Sequence, residues 1–162
     1  LDILRGRTNE RLIKGLENVK DCQFQSQRLG EYHIVGYGIS SAPEDPRLRD
    51  FEGEELKRLE RAEWKLKKRL RRLAKGKVIL LTHNIPYNTA LDLIDEPGNA
   101  VDQEHFGSTI ARWFLKFRPE LCIGGHIHEN YGIEEVDGVN CLNAGLRKRT
   151  TLHLESLKLE LE

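Results

Sequence analysis

Lys77-Val78-Ile79-Leu80-Leu81-Thr82-His83-Asn84-Ile85-Pro86 is the stretch that sets the fold class. Four apolar residues in succession, Val78 to Leu81, are what a strand buried on both faces requires, as in a sheet covered by helices. The run stops at Thr82-His83-Asn84, which places His83 at the carboxyl end of a central strand. A second stretch repeats the pattern: Leu121-Cys122-Ile123-Gly124-Gly125-His126-Ile127-His128-Glu129. Its apolar start reads as another buried strand and its glycines as a sharp turn. With extended backbone beyond the glycines, side chains two apart share a side, so His126 and His128 are expected to converge. In open α/β sheets, ligand sites form in the loops at the carboxyl ends of strands. Two strands that each end in histidine therefore point to one rim, and imidazoles gathered there suit a borderline divalent cation.

The 162 residues make one domain's worth of chain, enough to bury a core. Lysine plus arginine and aspartate plus glutamate both number 26, so no global charge draws the protein to nucleic acid or to a membrane surface. No apolar run has the length needed to cross a bilayer, and no signal-peptide core is seen at the start. Cys22, Cys122 and Cys141 are an odd, widely spaced set, two of them inside apolar runs. Free buried thiols in a reducing cytoplasm are expected rather than a disulfide framework. The chain begins at Leu1 and contains no methionine, the expectation for a segment of a longer protein or one with an edited start, with a processed terminus as the alternative.

Outward from the two strands, the spacing of Leu12, Ile13, Leu16 and Val19 predicts a helix from Thr8 or Asn9 to about Lys20, with Asn9 as N-cap. Cys22 to Leu29 and Tyr32 to Gly38 predict a strand pair turning at Gly30-Glu31. Ser40 to Asp50, with Pro43 and Pro46, reads as loop. Residues 51–75 predict the clearest helix, with Leu56, Leu59, Ala62, Leu66, Leu70 and Leu73 on one stripe and Gly76 ending it. Its other face ends in Lys67-Lys68-Arg69-Leu70-Arg71-Arg72. Glu52, Glu54, Glu55, Glu60 and Glu63 supply opposite charge upstream, so a solvated face is expected in preference to a nucleic-acid patch. Pro86 to Phe106 is a long loop carrying Tyr87, Asn88, Asp92, Asp95, Asp102 and His105, and loops of that length in compact domains tend to be functional. Ser108 is placed to cap a short helix that turns Ile110, Trp113, Phe114 and Phe117 inward. His105, just before that helix start, is placed either to meet an anion or to lie on the surface. A hairpin at Asp137-Gly138 and a terminal strand pair, with His153 facing outward, complete the chain.

With these motifs in order, the chain resembles the calcineurin-like metallophosphoesterases, in particular their small prokaryotic and archaeal members. There a Thr-His-Xaa-Xaa-Pro loop, a Gly-His-Xaa-His-Glu loop and an Asn-Xaa-Gly turn follow one another. Here they are Thr82-His83-Asn84-Ile85-Pro86, Gly125-His126-Ile127-His128-Glu129 and Asn143-Ala144-Gly145. Leu91-Asp92-Leu93 and His105-Phe106-Gly107-Ser108 also match, and the resemblance spans Tyr32 to about Leu154. It implies an α/β (α+β) class, as the four-layer αββα sandwich of metal-dependent phosphatases. It further implies two divalent metal ions, His83 and His126 binding one and His128 the other. Manganese, iron or zinc is expected over magnesium because the ligands are nitrogen. In the family a metal-bound hydroxide attacks phosphorus in line, cleaving a phosphate mono- or diester without a covalent phosphoenzyme. A small phosphate ester or nucleotide is the expected substrate, with Asn84 and His105 expected to bind it.

The family's Asp-Xaa-His and Gly-Asp motifs occur nowhere in these residues. Gly6-Arg7-Thr8-Asn9 stands about where its Gly-Asn-His/Asp motif falls, with Arg7 in the place of a ligand and Thr8 in that of the catalytic histidine. The expectation is therefore a single domain over residues 1–162 that lacks the first strands and the N-terminal metal motifs, a hydrolase in its histidine-donating C-terminal part. Alone it is expected to bind at most one metal, weakly, since three neutral imidazoles balance two cations poorly. Arg7 and the missing carboxylates motivate an alternative: a catalytically inactive scaffold or protein-interaction module on the same fold.

Overall fold

The computed structural model describes residues 12–40, 52–73, 76–146 and 148–161. The expectations for Gly6-Arg7-Thr8-Asn9, for the start of the first helix and for the loop at 41–50 lie outside the described residues.

The described elements run β1 (Ser26–Leu29), β2 (Tyr32–Tyr37), α1 (Gly53–Arg72), β3 (Val78–Asn84), α2 (Thr109–Phe114), a 3-10 turn (Leu115–Phe117), β4 (Leu121–Gly125), β5 (Gly132–Val136), β6 (Val139–Asn143), β7 (Thr150–His153) and β8 (Lys158–Leu161). The first six strands form one mixed sheet in the order β1-β2-β3-β4-β6-β5, and β7 and β8 form a separate antiparallel pair. Strands β2, β3, β4 and β6 are mutually parallel, while β1 and β5 are antiparallel edge strands closed by short turns. The molecule is thus mixed α/β, with β3 and β4 at the centre of the sheet.

Alternation along the central strands explains their continuous apolar runs. Val78 and Leu80 of β3, Val35 and Tyr37 of β2 and Cys122 of β4 turn to a core shared with Leu59, Leu66 and Leu70 of α1 and with Ile110 and Phe114 of α2. Ile79 and Leu121 turn to the opposite face, where they meet Leu152, Leu154, Leu157 and Leu159 of the β7–β8 unit. Both faces of the sheet carry an apolar cluster, but on the second only Tyr32, Ile79 and Leu121 are fully buried, while Ile34, Leu81 and Ile123 are partly so. One face carries helices; the other, expected beneath helices as well, is covered by a β-hairpin.

The local chemistry agrees with these positions. Helix α1 keeps its leucine stripe, but Glu63, expected among the solvated acids, is buried (2% exposed) and accepts a hydrogen bond from Tyr37 Oη at 3.1 Å. Ser108 caps α2, its Oγ accepting from Ala111 N at 3.0 Å. The Asp137-Gly138 turn has φ of 52° and 76°, the paired positive values of a two-residue hairpin turn. Among the described residues helical backbone ends at Ile13, short of the expected Lys20, and gives way to turns, with Gly15 at φ 86°. Leu12, Leu16 and Val19 are 71%, 53% and 46% exposed, so their helical spacing does not mark a core face.

Candidate metal centre

The rim at the carboxyl ends of β3 and β4 is built from three backbone devices. The first is a register shift. Leu81 pairs with Ile123 and Asn84 with Gly125, so Thr82 and His83 of β3 stand opposite the single residue Gly124 of β4. Such an extra residue bends the strand and re-aims a side chain. The second is Gly124 itself: a Cβ there would lie 2.9 Å from both Ile85 N and Thr82 Oγ1. Only glycine lets the two strand ends approach this closely. The third is His126, whose φ of 76° is left-handed and therefore strained for a residue with a side chain. The chain thus bends at His126 instead of staying extended, so the two-residue alternation of a strand does not apply to His126 and His128.

What these devices bring together is His83 and His126. Nε2 of His83 lies 3.1 Å from Nδ1 of His126, with ring centroids 5.0 Å apart. Two nitrogens each about 2.0–2.1 Å from one cation, at an angle between about 90° and 110°, stand about 2.8–3.4 Å apart. The observed separation fits two neighbouring ligands of one ion when both nitrogens present lone pairs, and a hydrogen bond when one is protonated. The His126 imidazole, exposed at the rim, is held below its ordinary pKa, first by partial desolvation and then by the adjacent charges of His83 and His128, with Glu129 opposing. Its neutral, metal-competent form is therefore favoured. His128 is exposed and its charge is felt at His126, but the pair is not a closed trio. Among the described residues, no group of three or more His, Cys, Asp or Glu side chains is arranged to hold an ion.

The remaining predicted residues take different places. Asn84 is 1% exposed and donates through Nδ2 to Phe106 O at 3.1 Å, so it braces the long loop and is not open to a substrate. His105 is one-quarter exposed, its Nδ1 2.8 Å from Oδ1 of the fully buried Asp92. Tyr87 stands edge-on to the same ring at 5.8 Å. Asp92 also accepts from the backbone N–H groups of Asn88, Thr89 and Gly107 and from Thr89 Oγ1. This one carboxylate folds the loop from Pro86 to Gly107 onto the rim. Asn143, fully buried at the end of β6, donates to Ile127 O at 2.8 Å and Leu91 O at 3.3 Å. It fastens the peptide between His126 and His128 to that loop.

Sequence reasoning missed a cavity of about 290 Å³ beside His83. Asp21, Cys22, Gln23 and Thr82 wall it, with the backbone of Gly36 and Gly38. Gln23 Oε1 accepts from Gly38 N, whereas Gln23 Nε2 is buried without a hydrogen-bond partner. The one trace of it in the sequence is the Gly36-Tyr37-Gly38 spacing: a Cβ at Gly36 would lie 2.6 Å from Cys22 O, and one at Gly38 2.6 Å from Gln23 Oε1.

The fold is shared with solved structures. One crystal structure aligns with 96% of this chain and 58% of its own, at a TM-score of 0.67 and 18% identity. The crystal structure of TT1561 of Thermus thermophilus aligns with 98% of this chain and 64% of its own, at a TM-score of 0.60 and 20% identity. The chain therefore spans 58–64% of the length of the structures it matches, and at these identities the likeness is one of fold alone. No family model and no curated protein matches the sequence.

Proposed function

We propose that this chain is the histidine-donating part of a metal-dependent phosphoesterase of the calcineurin-like type, with the αββα architecture of that family. The observation that supports it is the 3.1 Å approach of His83 Nε2 to His126 Nδ1 at the carboxyl ends of two central parallel strands. His83 and His126 would hold one divalent ion through those nitrogens, and His128, on the same loop, would serve a second. Manganese, iron or zinc suits such a donor set. Such an ion supplies Lewis-acid neutralisation of phosphoryl charge and activation of water near neutral pH.

The residues of the chain do the positioning. The β3 bulge and the left-handed His126 fix the two rings, and Asn143 fixes the peptide behind them. Asp92 accepts from His105 Nδ1–H and so orients the ring, whose Nε2 would donate to a phosphate oxygen only as the imidazolium. The cavity beside His83 would take the leaving group of the ester, with Gln23 Nε2 as a donor awaiting an acceptor. Three free thiols, two of them buried side by side on β4 and β6, suit a reducing compartment such as the cytoplasm. Among the described residues, no helix is long and apolar enough to cross a membrane.

The test is metal content after loading with manganese or zinc, for the wild-type chain and for His126→Ala. Loss of most of the bound metal in the variant is expected; unchanged content refutes the site. A longer form of the protein carrying upstream carboxylates should then hydrolyse an aryl phosphate ester with manganese. A second reading, an inactive scaffold on this fold, is favoured by the absence among the described residues of a third ligand beside the histidine pair. It predicts no turnover by any form of the protein with any metal.

A further inference from the structure

The second half of α1 carries an unbalanced basic face. From Trp64 to Arg72 the helix has six basic residues, Lys65, Lys67, Lys68, Arg69, Arg71 and Arg72, and no acid. Two of the acids upstream are engaged elsewhere: Glu63 is buried against Tyr37, and Glu54 pairs with Lys57 in the first turn, while the exposed Glu60 lies one turn before Trp64. Among the described residues none of Lys67, Lys68 and Arg71 makes an ion pair. In their midst Trp64 is 59% exposed, an unusual position for the largest apolar side chain. Trp64, Lys67, Lys68 and Arg71 line one groove of about 180 Å³. The spacing i, i+3, i+4, i+7 puts them on one face, along about 10 Å of helix. Lys68 Nζ lies over the Trp64 ring at 4.7 Å, and Lys67 Nζ over Trp113 at 4.2 Å. This groove shares no lining residue with the cavity beside His83.

We infer that this groove binds single-stranded nucleic acid, an unpaired base stacking on Trp64 while Lys67, Lys68 and Arg71 meet the flanking phosphates. An exposed aromatic among unpaired cations is the arrangement such binding uses. A base arriving on the indole displaces the Lys68 ammonium from the ring and leaves it beside the phosphate, so stacking and charge neutralisation act together. The face is independent of the metal reading and does not require it.

The test is fluorescence anisotropy of a labelled twelve-nucleotide oligo(dT) or oligo(U) with the whole chain, at 50 to 200 mM salt. Binding should weaken with salt along a logarithmic slope near −2, as for about three single-strand phosphates. Trp64→Ala should weaken it about tenfold, Trp64→Phe should restore much of that loss, and Lys68→Ala or Arg71→Ala should each flatten the slope by about 0.7. Circular dichroism of each variant, expected to match wild type at these exposed positions, separates lost binding from lost fold. Absence of binding at 50 mM salt overturns the inference. So does equal affinity for a duplex or for a poly-aspartate peptide, or binding indifferent to Trp64→Ala; these results mark a charged face without base recognition.

Discussion

His83 Nε2 and His126 Nδ1 stand 3.1 Å apart although 43 residues separate them in the chain. Neither ring reaches the other by regular strand geometry. A one-residue bulge turns His83 and a left-handed backbone turns His126, each a local departure from ideal structure. Such departures persist when the surroundings over-determine them, and here both serve the same pair of nitrogens.

The pair has a titration signature. His126 is held below its ordinary pKa by partial desolvation and by its histidine neighbours. In chelator-treated protein followed by NMR, its ring should titrate below the usual histidine value of about 6.5, and His83→Ala should move it upward. Because the folded value lies below the unfolded one, the stability from this group is present above about pH 6.5 and is lost as pH falls through the folded value. An unchanged His126 titration in His83→Ala would contradict the geometry.

Backbone strain at His126 gives a second expectation. A glycine tolerates φ of 76° and an alanine does not, so His126→Gly should be more stable than His126→Ala by roughly 1 kcal/mol. Both variants should lose metal alike. Urea unfolding of the two measures the difference, and equal midpoints would show that the left-handed turn stores no strain.

Gly124→Ala should separate the strand ends. The added methyl meets Ile85 N and Thr82 Oγ1 at 2.9 Å, and two of its three nearest atoms are backbone, which cannot swing away. A loss on the order of 1–3 kcal/mol is expected, together with weaker zinc binding by calorimetry. Wild-type affinity in a stable Gly124→Ala protein would mean that close approach of β3 and β4 is not what positions the histidines.

Asp92 should matter to the loop more than any other acid near the rim. It is fully buried and accepts from three backbone N–H groups, a hydroxyl and His105. Asp92→Ala should cost on the order of 3–5 kcal/mol, the range for removing one partner of a buried charged network. Hydrogen exchange should quicken at Asn88, Thr89 and Gly107, whose amides it holds, while α1 stays protected. Uniform exchange throughout the chain would point to global unfolding instead.

Much of the frame was legible from residue pattern. The apolar runs of β3 and β4 announced central strands because a two-sided core needs apolar side chains at every position. The leucine stripe of α1, the Ser108 cap and the Asp137-Gly138 turn were equally readable, since each depends on contacts within a few residues. The N-terminal apolar spacing misled because helical period alone does not show whether a surface exists for the stripe to cover. Asn84 misled in the opposite way. A polar residue beside a histidine looks open to a ligand, but the Phe106 carbonyl that engages it comes from a distant loop.

By itself, then, the sequence determined the central strands β3 and β4, the leucine stripe of α1, and that histidines close two central strands. Those properties follow from the chemistry of each residue and its nearest neighbours. Only the tertiary structure decided that His83 pairs with His126 and not with His128, that Asp92 holds His105, and that Glu63 turns inward against Tyr37. Each of these depends on a bulge, a backbone handedness or a partner many residues away, and none of those is encoded at a single position.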